Sequence, residues 1–340
     1  MTHSINIGAR VFRGNTVEAI HYASVVVVGA DNKPTDVLGD PYEIFAARSA
    51  VKPFQALPLV MSGGIEKYGF TTRQLAITCA SHNGTDEHRE VVMANLRAAG
   101  NKPEDLQCGT HWPIWMQQVN EYPHNGEDRD PVRHNCSGKH SGFLALSRLL
   151  GEDPAGYLDP AGRVQQLVRD AVAAMCEVPP EGIVVGIDGC SAPVFALPLF
   201  NLALGFKKLA NGEAGSNEMA RAATRIRDAM YEHPKMISGD GRLDYDLARS
   251  FPGNLVCKIG AESVEALGFA DPPMGIVVKI HDGNTRALGP VVIAVLKELG
   301  FITDIEEYPF LKAHERPAIL NNRELVTGNV VAERNLLKRV

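Results

Sequence analysis

The chain interleaves short apolar runs with amphipathic stretches. Val25-Val26-Val27-Val28 is a strand-sized run that closes at the polar turn Asp31-Asn32, so a strand is expected over 24–29. Apolar runs at 183–187, 255–259 and 275–280 predict three more strands, the first of them buried. Residues 85–99 carry the marks of a helix: Thr85 as N-cap, Asp86 and Glu87 in the first turn, and Gly100 at the stop. After Asp159-Pro160, the residues Val164, Leu167, Val168, Val172 and Met175 fall on one helical face. Helices are also expected over 52–61, 218–231 and 290–299. In the first of these Pro53 suits the opening turn and Pro58 strains the interior. Pro272-Pro273 and 211–216 read as surface loops.

Strands and helices do not alternate regularly enough for a purely parallel sheet. The expected class is α+β: a layered, mostly antiparallel sheet with helices on both sides, forming a single unit over 1–340 in one or two lobes. The 340 residues are ample to bury a core without covalent staples. Acids outnumber bases by 40 to 34, which argues against a nucleic-acid or anionic-membrane partner, since both want a basic face. No apolar run approaches the ~18 residues of a membrane span, and residues 1–13 lack the pattern of a signal peptide. Six cysteines are too few for a disulfide scaffold, so a reduced, cytoplasmic setting is expected.

Candidate chemistry begins at Arg48-Ser49-Ala50-Val51-Lys52-Pro53. On a helix, positions i and i+3 share a face, so the Lys52 amine can reach the Ser49 hydroxyl. Serine attacks carbonyl carbon only when a base takes its proton. A lysine serves as that base only when neutral, and lowering its pKa from ~10.4 to ~7 costs about 4.6 kcal/mol. The plain reading of the pair is an N-cap serine and a surface lysine. Further on, Ala80-Ser81-His82-Asn83-Gly84 sets a serine where an apolar segment meets a glycine turn, and Lys258-Ile259-Gly260 ends a strand. In chain order these fragments loosely echo the S-x-x-K, S-D-N and K-T-G set of penicillin-recognising enzymes.

Asn135-Cys136-Ser137-Gly138-Lys139-His140 lacks the spacing of a phosphate loop. Asp188-Gly189-Cys190-Ser191-Ala192-Pro193 follows a strand end. Cys136 and Cys190 are either two buried packing residues or thiolates that meet to bind zinc. Cys79, Cys108, Cys176 and Cys257 are assigned to packing. His82 reads as a loop histidine, His88 as a surface histidine, and Asp240-Gly241 and Asp282-Gly283 as turns.

Together these segments resemble the rhizobial-type L-asparaginase family, often called asparaginase II. Residues 48–55 resemble its R-S-x-x-K-P-x-Q segment, 80–82 its A-S-H motif and 135–140 its N-C-S-G-K-H segment. Asp188-Gly189-Cys190 with Pro193 resembles its D-G-C-x-x-P segment, 258–262 its K-x-G-A-E stretch and 279–283 its K-I-x-D-G turn. Ser263 and His281 depart from the family pattern. The resemblance implies a fold similar to serine β-lactamases and glutaminases, and hydrolysis of L-asparagine to L-aspartate and ammonia. It implies two serine-lysine tandems, Ser49 with Lys52 and Ser81 with Lys258. It further implies a zinc site of Cys136, Lys139 and Cys190, and a homodimer. Arg48 is then a candidate clamp for the substrate α-carboxylate, because guanidinium binds carboxylate bidentately. Asp188 is a candidate partner for the α-ammonium. The competing expectations are a glutaminase or β-lactam-type acyl-serine enzyme, and a non-catalytic, zinc-stabilised amino-acid-binding protein.

Overall fold

The structure, a computed structural model, describes residues 6–122 and 129–340. Its strands are β1 (Ile7–Arg13), β2 (Thr16–Val28), β3 (Pro34–Leu38), β4 (Ile44–Ala46), β5 (Val184–Ile187) and β6 (Pro193–Pro198). They continue as β7 (Leu255–Gly260), β8 (Val264–Phe269), β9 (Met274–Ile280), β10 (Ala318–Leu320), β11 (Val326–Ala332) and β12 (Lys338–Arg339). The main sheet runs β10-β11-β1-β2-β9-β8-β7, with β3 joining β2 to β12, and its pairings are antiparallel.

The valine run sits at the centre of this sheet, with Val25 opposite Val278 and Val26 opposite Val277. Alternate side chains enter opposite layers, which is why four consecutive apolar residues are needed. Val26 and Val28 pack with the helix Leu199–Asn211 and the large helical layer beyond it. Val25 and Val27 pack with Leu288, Val291, Val292, Val295 and Leu296 of the helix Leu288–Glu298. The class is therefore α+β, a layered antiparallel sheet with helices on both sides. Among the described residues no helix is long and apolar enough to cross a membrane.

Three local expectations are corrected. The apolar run at 183–187 yields β5, which is exposed along its whole length, with Ile187 82% accessible. Among the described residues it is an edge strand of the small sheet β4-β6-β5, paired with β6 alone, and a short apolar run does not by itself distinguish edge from core. The stretch 52–61 is two helices, Lys52–Gln55 and Leu57–Met61, because Pro58 brings no N–H to continue the ladder. His88 is buried, not a surface residue. It shares the inner face of the helix Asp86–Ala98 with Val91, Val92 and Asn95, and its ring stacks on His82 with centroids 5.0 Å apart.

Candidate active site

Two glycines set the framework of the site. β7 ends beneath a single turn of tight helix, Arg48–Val51, which carries Ser49. A Cβ on Gly260 would stand 2.8 Å from the Ala47 carbonyl oxygen and 3.3 Å from the Ala50 nitrogen, so only glycine lets the strand end meet that turn. A Cβ on Gly138 would stand 2.1 Å from the Ile77 carbonyl oxygen. The helix Ser137–Leu150 can therefore rest directly on the end of the helix Thr72–Thr78, just before Ser81. The extended segment at 81–83 is clamped by backbone bonds: Ser81 N–H to the Ile237 carbonyl (2.8 Å), His82 N–H to Asn135 (3.1 Å) and Asn83 N–H to Ser238 (2.8 Å).

Ser49, Lys52, Ser81, Lys139 and Lys258 are all buried. The Lys52 amine lies 2.6 Å from the Ala80 carbonyl oxygen, 2.9 Å from the Ser81 hydroxyl and 3.1 Å from the Cys136 sulfur. The sequence expectation paired Lys52 with Ser49 and Lys258 with Ser81, and the contacts differ. The Lys52 side chain crosses to the neighbouring clamped segment, because Ala80, Ser81 and Cys136 together offer its amine three partners. Among the described residues no hydrogen bond holds the Ser49 hydroxyl. The Lys258 amine donates instead to the Ile259 carbonyl at 2.8 Å and stands 3.7 Å from the Asp244 carboxylate. Burial lowers the Lys258 amine to about 8; Lys52 and Arg242 add to the shift, and Asp244 partly offsets it.

The thiol cluster sits next to this couple. Cys136 and Cys190 share a hydrogen bond, and that bond with the Lys52 and Lys139 charges holds Cys136 well below the usual thiol range despite burial. Cys190 is raised by the same bond and by burial. The Lys139 amine donates to the Cys190 sulfur at 3.2 Å. Burial works against the Lys139 charge, but the two sulfurs outweigh it and raise the amine. Among the described residues no group of three His, Cys, Asp or Glu side chains has metal-binding spacing, so a zinc ion here requires the lysine. The donors suit one. Bonds of ~2.3 Å to sulfur and ~2.0 Å to nitrogen at a tetrahedral angle need a separation of roughly 3.5 Å, and the Lys139 amine and Cys190 sulfur stand 3.2 Å apart.

Ser49 and the two thiols Cys136 and Cys190 open on one cleft of about 410 Å³. Its lining includes Arg48, Ser49, His134, Cys136, Asp188 and Cys190. Arg48 holds a left-handed backbone at φ 49°, a conformation that a branched or long residue rarely accepts. Its Nε and one terminal nitrogen reach the same Asp188 oxygen at 2.9 and 2.8 Å. Burial would raise the Asp188 carboxyl, but the Lys139 and Arg48 charges hold it below its usual range. Asp188 sits in the β5–β6 turn, which closes with Ser191 at φ 67°.

Sequence reasoning missed His111, His134 and Gln117 in this lining. His134 accepts the Cys136 N–H at Nδ1 (3.0 Å), and burial pushes it down to about 3, so it is neutral with a proton on Nε2. None of these side chains stands at a spacing that marks it in the sequence. His134 directly precedes Asn135-Cys136 in the chain, whereas folding alone brings His111 and Gln117 to the cleft.

A search of curated proteins finds no match. Among solved structures the chain is similar to a β-lactamase from Mycobacterium bovis, at 14% identity and a TM-score of 0.44, over 81% of this chain and 94% of that one. It is similar to a class C β-lactamase from Rhodobacter sphaeroides, at 12% identity and a TM-score of 0.40, over 81% and 94%. A D-alanine carboxypeptidase from Burkholderia cenocepacia matches at 14% identity and a TM-score of 0.37, over 80% and 93%. The family model described as L-asparaginase II matches residues 9–332, a span that contains Ser49, Lys52, Ser81, the thiol cluster and Lys258. The chain belongs to the L-asparaginase II family.

Proposed function

We propose that the protein is an L-asparagine amidohydrolase that releases L-aspartate and ammonia through an acyl-serine intermediate. The observation that carries this reading is the buried Lys52–Ser81 contact of 2.9 Å beside a cleft lined by Ser49. The Lys52 amine also donates to the Ala80 carbonyl and the Cys136 sulfur, so three partners fix it against the Ser81 hydroxyl. That contact places the amine where it can exchange a proton with the Ser81 hydroxyl during the reaction.

In this mechanism Ser49 is the nucleophile, since its hydroxyl lines the cleft. Its oxygen bonds to the side-chain amide carbon while its proton passes to Lys52, with Ser81 as the relay. The C–N bond then breaks, and the proton held by the lysine goes to the departing nitrogen, which leaves as ammonia. Water repeats the sequence on the acyl-serine ester, freeing aspartate and restoring the serine. Lys258 acts as the second amine of the site, its own charge disfavoured by burial. Arg48 and Asp188 present one positive and one negative group to the opposite ends of a zwitterionic amino acid, Arg48 to the α-carboxylate and Asp188 to the α-ammonium. Cys136, Lys139 and Cys190 would hold zinc, whose chemistry there is to fix the thiolates and the lysine as neutral or compensated groups at the floor of the cleft. A homodimer in the cytoplasm is part of the same reading, with no nucleic-acid or membrane partner.

The test is ammonia release from L-asparagine, with L-glutamine and a chromogenic lactam as alternative substrates. The proposal expects turnover of asparagine and at least tenfold lower kcat/KM on the other two. Binding of asparagine without turnover would instead identify an amino-acid-binding protein.

A further inference from the structure

Behind the serine-lysine system lies a buried carboxylate that the mechanism above does not use. Asp244 is 2% exposed and lies in the first turn of the helix Leu243–Ser250. An acid there suits the helix dipole, but the dipole does not require the contacts Asp244 makes. One carboxylate oxygen accepts the Ser238 hydroxyl at 2.5 Å. The other accepts the Ile259 N–H at 3.4 Å and stands 3.7 Å from the Lys258 amine. Its backbone carbonyl accepts the Cys257 thiol at 3.0 Å. Asp244 thus grips the end of β7 on both sides of Lys258. Ser238 in turn accepts the Asn83 N–H through its carbonyl, two residues beyond Ser81, so the anchor and the segment that carries Ser81 are one connected unit.

We propose that Asp244 is a positioning residue of the site: its carboxylate, anchored by Ser238 and the Ile259 amide, fixes the Lys258 amine and governs when that amine gives up its proton. This deepens the function proposed above and rests on it for its catalytic consequence.

The groups facing Lys258 come from four elements: Asp244 from its helix, Arg242 before that helix, Glu265 from β8, and Lys52 with Cys79 from the helical layer. Arg242 and Lys52 push the proton off. Glu265 is fully buried, and among the described residues neither of its carboxyl oxygens has a hydrogen-bond partner. Burial, together with the Asp244 charge, holds Glu265 far above the usual carboxylate range, so it is an uncharged acid. Of the two carboxyl groups that favour the proton on Lys258, Asp244 is the stronger and Glu265 the weaker. An opposite charge at this range favours the protonated amine, so removing it frees the amine at lower pH.

The experiment follows Lys258 by NMR in protein labelled with ¹³C at lysine Cε, the signal assigned with Lys258→Met. In Asp244→Asn the titration midpoint of Lys258 should fall by about one pH unit or more. In Glu265→Gln it should stay within a few tenths of a unit, and Asp244→Glu should restore it toward the parent value. Where Asp244→Asn does not fold, Ser238→Ala removes the anchor alone and should move the midpoint the same way by less. An unchanged midpoint in Asp244→Asn, or in Ser238→Ala in its place, or an equal shift in Glu265→Gln, overturns the inference. This readout needs no turnover, so a protein that fails to release ammonia from asparagine overturns the proposed function and leaves the Asp244 result standing. In active protein the ascending limb of kcat against pH should move down with the NMR midpoint. A limb that stays in place while the midpoint falls shows that the Lys258 proton does not bear on the proposed reaction and overturns the catalytic part of the inference.

Discussion

The Lys52 amine and the Ser81 hydroxyl meet at 2.9 Å although 28 residues lie between them in the chain. The contact exists because the segment at 81–83 is held on both sides, by Asn135 and by Ile237 and Ser238. The helix Lys52–Gln55 then points its first side chain into that segment. Activity should accordingly depend on backbone placement as strictly as on the reacting groups.

Gly260→Ala tests that dependence. A Cβ there meets the Ala47 carbonyl at 2.8 Å and the Ala50 nitrogen at 3.3 Å, both backbone atoms of the Ser49 turn, so the turn must shift. A displacement on the order of 1 Å at a reacting group costs about 100-fold in rate. We expect kcat to fall by roughly that factor with the thermal midpoint lowered by only a few degrees. Steady-state kinetics and a thermal melt on the same sample check both numbers.

Arg48→Lys and Arg48→Ala should separate binding from chemistry. Arg48 donates twice to one Asp188 oxygen, and lysine replaces that fork by a point charge. Losing a charged hydrogen bond to the α-carboxylate costs about 1.5–3 kcal/mol, or roughly 10- to 100-fold in KM for asparagine. L-asparagine amide, which lacks that carboxylate, should discriminate far less between parent and variant. An equal loss on both substrates would show that Arg48 serves the fold alone.

The acid–base balance of Lys258 carries a stability prediction. Its folded value of about 8 lies below the 10.5 of an unstrained lysine, so the unfolded chain binds the extra proton between those two values. Stability therefore rises with pH from about 8 to about 10.5 through this group, and its penalty is fully present below pH 8. Lys258→Met removes the titration. The gap between parent and variant in denaturant midpoint should change in favour of the parent across that window. A constant gap from pH 7 to 10 contradicts it.

Metal content is open to direct assay. Cys136→Ser or Cys190→Ser should each lower zinc per chain, measured by plasma mass spectrometry after dialysis, by at least tenfold relative to the parent. Chelation should do the same to the parent and release about one ion per chain. Zinc retained in both variants would exclude the thiol cluster as its holder.

Much of this was legible in the chain, and the limits have physical causes. The valine run announced a two-sided strand, and four of them in a row leave little else possible. The same logic misplaced 183–187, because burial of an edge strand depends on what packs against it. Ser49, Lys52, Ser81 and Lys258 could be singled out by residue type, but the partner of Lys52 was set by tertiary contacts that spacing does not encode. Asp244 was invisible for a similar reason: an acid in a first helical turn is ordinary until Ser238 and β7 close around it. His88 followed a surface-looking acidic stretch, yet its i+3, i+4 and i+7 neighbours are the buried ones.

The central claim is that a hydroxyl of this site becomes acylated by asparagine with Lys52 as the base. Rapid acid quench of enzyme with asparagine, followed by intact-mass and peptide analysis, tests it most directly. The account predicts one aspartyl ester per chain on Ser49, absent in Ser49→Ala and in Lys52→Met, with kcat lowered by about 1,000-fold or more in each. Ammonia release at the parent rate from Ser49→Ala and Ser81→Ala, with no ester trapped on either serine, would contradict it.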